Sequence, residues 1–247
     1  MSWGRDPFER FRNSTRARIG LGRAGDALPT AAILDFQLAH ARARDAVHGR
    51  VDFVALAKEL APVPTIRIRS CAADRTVYLA RPDLGRQPLA ADLPVSGERH
   101  DIAFVIADGL SASAVERHAV PLFKACIKRL GGFSIAAVIL GEQARVAFGD
   151  EAAAAFGAEV AIVLIGERPG LSVPDSLGVY ITFQPQSGRR DSERNCISNI
   201  HADGLSYEVA ADKIVWIVRE ALRLQLTGVD LKENAEGTAS TLTHGDA

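Results

Sequence analysis

The stretch that most invites a chemical reading is VLIGERPGL (163–171), an apolar run that stops abruptly at Glu167 and Arg168. Pro169 keeps Arg168 out of helical geometry and Gly170 permits a tight turn, so a carboxylate and a guanidinium are held at a strand end. In open parallel sheets ligands lie beyond the carboxyl ends of the strands, where such loops begin. Two further loops are expected on the same rim: EQARVAF (142–148) and RNCISNIH (194–201). The three loops predict a ligand groove with Glu167 as a polar contact and Val146 and Cys196 as apolar lining. The plain alternatives are a surface Glu–Arg pair and, for Cys196, a place in the core.

Other motifs carry less. GLGRAG (20–25) matches G-x-G-x-x-G, but the fingerprint needs a strand before it, and here the preceding segment is Arg-rich and helical. A glycine-rich connector is expected instead. NIHADG (199–204) approaches the D-x-H-x-x-G pattern by which some cobalamin enzymes place a His on cobalt. Asn199 stands where the orienting acid belongs, so His201 reads as an ordinary hydrogen-bonded loop residue. Ser111 and Ser113 lie outside any G-x-S-x-G and read as helix caps. There is no P-loop and no H-E-x-x-H. No residue is assigned a catalytic or metal-ligating role.

These loops need elements to hold them. Residues 5–60 read as helical, with Ile33, Phe36, Leu38 and Ala41 near one face. TIRIRSCA alternates Ile66 and Ile68 with Arg67 and Arg69, a half-exposed strand, and YLARPDLGRQ reads as a loop. A Pro/Gly-marked boundary is placed at about 89–100. Beyond it, continuous apolar runs at 102–109, 133–140, 159–166 and 177–185 alternate with helical segments. Pro121 is expected to kink the first of these helices or to begin its second piece. An amphipathic helix closes the unit from about Ser206 to Thr227, with Gly228 after its end. Strands buried on both faces with helices between them predict an α/β fold, a Rossmann-like parallel sheet with crossover helices behind a mainly helical N-terminal domain. The expected division is 1–95, 96–231, and a disordered tail over 232–247.

Composition narrows the class. Of 247 residues, 47% are apolar and 24% charged, with a net charge of −1, so there is no global attraction to nucleic acid or anionic lipid. The first 50 residues hold nine Arg against five acids. This basic segment lacks the interleaved aromatics of a base-stacking platform, and docking on a protein partner is expected. Cys71, Cys126 and Cys196 are far apart and odd in number, which predicts reduced thiols and an intracellular protein. No secretory signal and no membrane-spanning stretch is apparent.

Taken together, STRARIGLGRAG, YLARPDLGRQ, FVIADGLSASAVE, VAIVLIGERPGL, DSLGVY, ERNCISNIH and TGVDL resemble the small (light) subunit of ethanolamine ammonia-lyase, in that family's order over roughly residues 14–231. The resemblance implies an adenosylcobalamin-dependent enzyme that converts ethanolamine to acetaldehyde and ammonia by radical chemistry. It implies that a large, barrel-shaped subunit holds ethanolamine, while the small subunit closes over the corrinoid in an assembly of several large–small pairs. The family's cobalamin contacts fall on Val146, Glu167 and Cys196, and its cobalt carries the cofactor's own dimethylbenzimidazole, which argues against His201 as a ligand. Two segments depart from the family pattern: LGEQARV stands where VRYGRV is usual, and SVPDSLGVY replaces a more usual Gly/Ser/Glu-containing version. The expected location is the cytoplasm, with a bacterial microcompartment as the second possibility, because family members often carry a longer N-terminal extension than is seen here. The alternative class is a stand-alone cobalamin- or nucleotide-binding module. An NAD-dependent oxidoreductase acting through GLGRAG is disfavoured by its helical context.

Overall fold

The computed structural model describes residues 6–94 and 98–232. The expected disordered tail therefore falls, from residue 233 on, outside the described residues, as do residues 95–97 of the expected boundary. The N-terminal helices are α1 (Glu9–Ser14), α2 (Thr30–His48) and α3 (Phe53–Leu60). Asp52 starts α3 by accepting the N–H groups of Val54 and Ala55 at 3.0 Å each. This helix buries Phe53, Leu56 and Leu60. Helix α2 differs from its sequence expectation. Ile33, Phe36 and Leu38 are exposed, and the buried residues are Ala39 and Ala46. The buried side of α2 is thus made by small side chains.

The TIRIR strand is β1 (Thr65–Arg69), followed by α4 (Arg75–Ala80) and a single turn at Leu84–Arg86. The apolar runs then give β2 (His100–Ala107), β3 (Val138–Glu142) and β4 (Ala158–Gly166). Strand β3 begins later than expected, because residues 133–137 contribute only a bridge from Ile135 to Ile102. Between these strands run α5 (Ala112–Ile127), unbroken through Pro121 and capped by Ser111, and α6 (Val146–Ala155). Next come β5 (Leu177–Phe183), β6 (Asn195–Ile200) and α7 (Tyr207–Leu224). Ser206 caps α7, and Gln225, at φ +57°, ends it in place of the expected Gly228.

All six strands form one sheet in the order β1-β3-β2-β4-β5-β6. The first four are parallel, whereas β5 runs antiparallel to both β4 and β6. The expectation of a wholly parallel sheet is thus corrected: the sheet is mixed and mostly parallel. The reason is the connection at 167–176, ten residues with Pro169, Gly170 and Pro174, too short for a crossover helix. Alternate residues of the central strands feed two cores. Ile102, Phe104 and Ile106 pack with α3, α5 and α7 on one face. Ala103, Val105, Ile139 and Val163 pack with Phe148 and Ala152 of α6 on the other. Among the described residues no helix is long and apolar enough to cross a membrane, and all three cysteines are free.

Candidate functional site

The chain reverses its direction of travel across the sheet at β2: β3 is added on one side and β4 on the other. Such a switch point is where open α/β sheets leave a crevice for ligands. A concavity of about 290 Å³ lies there. Leu110 follows β2, Arg145 and Val146 follow β3, Glu167 and Arg168 follow β4, and all line it together with Tyr78 and Tyr180. Gly109, at φ +59°, makes the approach of these loops possible, because a Cβ there would lie 2.3 Å from the Gly166 carbonyl oxygen.

Asp108, buried at the end of β2, fixes the loop after β3. Its carboxylate accepts the N–H of Gln143 at 3.0 Å and of Ala144 at 2.9 Å. The first of these residues sits at φ +52°, a conformation that L residues adopt only when held. Burial pushes the Asp108 pKa up to about 6, against the pull of the Ala144 N–H and of Arg75, 3.6 Å away. The RPDLGR segment supports the same loop, since Arg145 N–H donates to the Gly85 carbonyl at 2.8 Å. Tyr78 lies between two guanidinium groups, with Arg75 4.6 Å and Arg145 4.5 Å from its ring centroid. Burial, with the Asp108 charge behind it, pushes the Tyr78 pKa up to about 12.

Glu167 occupies the opposite wall. Its N–H donates to the Ser176 carbonyl at 2.9 Å. Its carboxylate accepts from Ser176 Oγ and, at 3.3 Å, from the Asn199 N–H. The side chain lies flat over Gly178, where a Cβ would come within 3.1 Å of both Cγ and Oε1. Cys196 departs from expectation. It belongs to edge strand β6 rather than to a loop, and the β5–β6 register sets it opposite Tyr180. The structure therefore brings Val146 and Glu167 into one concavity, while Cys196 is exposed beside Tyr180 on the same face of the sheet and outside the lining. Desolvation raises the Cys196 pKa, opposed by the Tyr180 hydroxyl and reinforced by Glu167. Burial, together with the Cys196 thiol, pushes Tyr180 up to about 12. Beneath this wall, Arg194 at the start of β6 is paired with Asp150 of α6, both side chains almost wholly buried.

Of the two serines expected as helix caps, Ser111 caps α5, whereas Ser113 lies within its first turn. His201 Nε2 bonds Asn199 Oδ1 at 2.9 Å, and its Nδ1 accepts the Asp203 N–H at 3.3 Å. GLGRAG lies in irregular backbone between α1 and α2, with no strand before it. Of the N-terminal arginines, Arg12 pairs with Asp6 and Arg16 with Asp203. A larger cavity, about 610 Å³, lies between α2 and the start of α5, but none of Val146, Glu167 or Cys196 reaches it. Its arginines are interleaved with Asp45, Glu116 and Asp175. Among the described residues no His/Cys/Asp/Glu group could hold a metal ion. Sequence reasoning did not single out Tyr78, Asp108, Arg145 or Tyr180 as parts of the site. The Asp-Gly that ends the 102–109 run was the one available signal, since a charged residue directly after a buried strand needs a partner.

Residues 5–232 match the family model of the ethanolamine ammonia-lyase light chain (EutC). This chain belongs to that family. It is 50% identical to the ethanolamine ammonia-lyase small subunit of Azotobacter vinelandii, over 94% of this chain and 90% of the relative. The small subunit of Ralstonia nicotianae is 49% identical over the same shares, and that of Pseudomonas syringae pv. tomato 48%, over 94% and 84%. As a light chain of ethanolamine ammonia-lyase it is a subunit of a carbon–nitrogen lyase in ethanolamine catabolism.

Proposed function

We propose that this light chain supplies one wall of an adenosylcobalamin site, closed by a large subunit that binds ethanolamine and carries out the deamination. The observation that carries the reading is the convergence of the loops after β2, β3 and β4 on one shallow concavity at the switch point. At about 290 Å³ it is far smaller than a corrinoid, and even drug-sized ligands occupy roughly 300–1,000 Å³. A second protein must provide the rest.

The residues present fit the group. A corrin edge is apolar at its methyl groups and carries neutral amides that both donate and accept. Leu110, Val146 and Ile165 offer apolar contact, Glu167 an acceptor, and Arg145 and Arg168 donors. The buried Nε of Arg145 has no hydrogen-bond partner among the described residues, so a donor stands ready. When bound, adenosylcobalamin supplies the radical chemistry. This chain's part is to bind and orient: Val146 packs on the ring edge, Glu167 accepts amide N–H bonds, and Cys196 stands beside Tyr180 at the outer edge of the same face. The carboxylate of Glu167 is anchored from the side of β5 and β6, which pre-organises it for a peripheral contact rather than for proton transfer.

Docking on the large subunit is supported by the outer face of α2. Leu34 and Leu38, one turn apart, are exposed on it, and Phe8 and Phe11 are exposed in the segment before it, apolar surface of the kind that marks interfaces. The test is ethanolamine deamination with adenosylcobalamin, by the chain alone and co-expressed with the large subunit. Negligible turnover alone and restored turnover in the complex are expected. Comparable turnover by the isolated chain would overturn the reading.

A further inference from the structure

The charges of the concavity are distributed unequally between its walls. Glu167, the acid of the β4 side, is turned toward β5 and β6 by Ser176 and Asn199. The β3 side presents Arg145, while Arg168 lies on the β4 side beside Glu167; both line the cavity, and among the described residues neither forms an ion pair. Arg75 is different, because Asp108 lies 3.6 Å from it and balances its charge. Strands β3 and β4 flank β2, so the two walls are about two strand spacings, or roughly 10 Å, apart.

Arg145 is held as a donor. Its Nη2 donates to the Tyr78 carbonyl at 3.2 Å, its guanidinium stacks on the Tyr78 ring, and its Nε is buried without a partner. It is also the residue just before α6, whose first turn contains no acid and whose N-terminus has no side-chain cap. The unbonded N–H groups of that turn add partial positive charge at the same place. A stacked guanidinium with a vacant donor and no ion pair, beside an uncapped helix start, is complementary to an anion with oxygen acceptors.

We propose that Arg145 holds the phosphodiester of the cofactor's nucleotide tail. The proposal rests on the corrinoid reading above. A cobalamin carries amides around its corrin, which are neutral, and one anionic phosphodiester in the tail that bears dimethylbenzimidazole. The two walls match that division, with the carboxylate for amide donors and the guanidinium for the phosphate. Arg168, at the same mouth and unpaired, supplies long-range attraction.

The experiment uses the complex of this chain with its large subunit. It compares equilibrium binding of cobalamin with that of cobinamide, which keeps the corrin amides and lacks the nucleotide tail, by absorbance or dialysis. The parent complex should prefer cobalamin. Arg145→Met should reduce cobalamin affinity roughly tenfold to a hundredfold, the range of a charge-assisted bond, and leave cobinamide affinity within about twofold. Arg145→Lys, which keeps the charge and serves if the Met variant does not assemble, should retain most of the preference for cobalamin. Equal loss for both ligands, or no loss for either, overturns the assignment while leaving the corrinoid reading intact. A parent complex that binds no cobalamin overturns that reading, and this inference falls with it.

Discussion

Asp108→Asn offers a sharp test of the electrostatics beneath the rim, because one number in the structure fixes its pH dependence. The carboxyl has a pKa of about 6 in the fold against 3.8 when free. A raised folded pKa means that the folded state holds its proton more tightly than the unfolded chain does. The stabilisation is therefore fully present below the free value and is lost as pH rises through the folded value. Between about pH 5 and pH 8 this group's contribution falls by about one log unit, or about 1.4 kcal/mol. Asn cannot titrate, and its amide turns an –NH2 toward the N–H of either Gln143 or Ala144, an uncompensated loss of about 1–3 kcal/mol. The variant is thus less stable than the parent at about pH 5, and the gap should narrow by about 1.4 kcal/mol as pH rises to about 8. Urea unfolding of both chains at several pH values measures it, and every other titrating group cancels in the difference. A gap that stays constant, or widens with pH, would refute the argument that burial dominates at Asp108.

Three further outcomes are expected. Glu167→Gln keeps the size and one acceptor but loses the charge, so in the assembled complex cofactor affinity should fall about tenfold. Turnover at saturating cofactor should stay near the parent value, whereas a collapse of turnover at unchanged affinity would make Glu167 a proton-transfer group. Gly178→Ala places a methyl 3.1 Å from Glu167 Cγ and Oε1, so cofactor titration should show weaker binding while the melting temperature changes little. Arg194→Met leaves Asp150 buried and unpaired, and denaturant unfolding should show a loss of about 3–5 kcal/mol.

Much of the architecture could be read from residue patterns because the central strands are buried on both faces, and continuous runs such as IAFVIA admit few other interpretations. The direction of β5 was not legible. LGVYITF has the same composition as a parallel strand, and only the length of the 167–176 connection distinguishes the two. Cys196 was misplaced in a loop for a related reason: NCISNI is an edge strand with Cys196, Ser198 and Asn199 exposed, so it lacks the apolar continuity of its neighbours. Helix α2 misled in the opposite sense, since its large apolar residues point outward and only alanines face the rest of the chain. The meeting of Glu167 and Val146 at one rim was legible because both follow parallel strands at the same sheet edge. Tyr78 was not, and Asp108 was signalled only by its charge after a buried run, because their partners lie in a loop about 65 and 35 residues away in sequence, and no local periodicity reports such pairs.

The parallel pairing of β1 with β3 has a temporal side. Thr65 leaves the ribosome about 70 residues before its partner Val138. At about 5–20 residues per second the strand waits several seconds without a neighbour. An unpaired strand is a template for joining another chain. In β1 the alternate positions are Arg67 and Arg69, so any two waiting copies would bring like charges together. Arg69 can meet Asp92 about twenty residues later, but Arg67 finds Glu142 only once β3 has joined, and until then its charge opposes pairing between nascent chains.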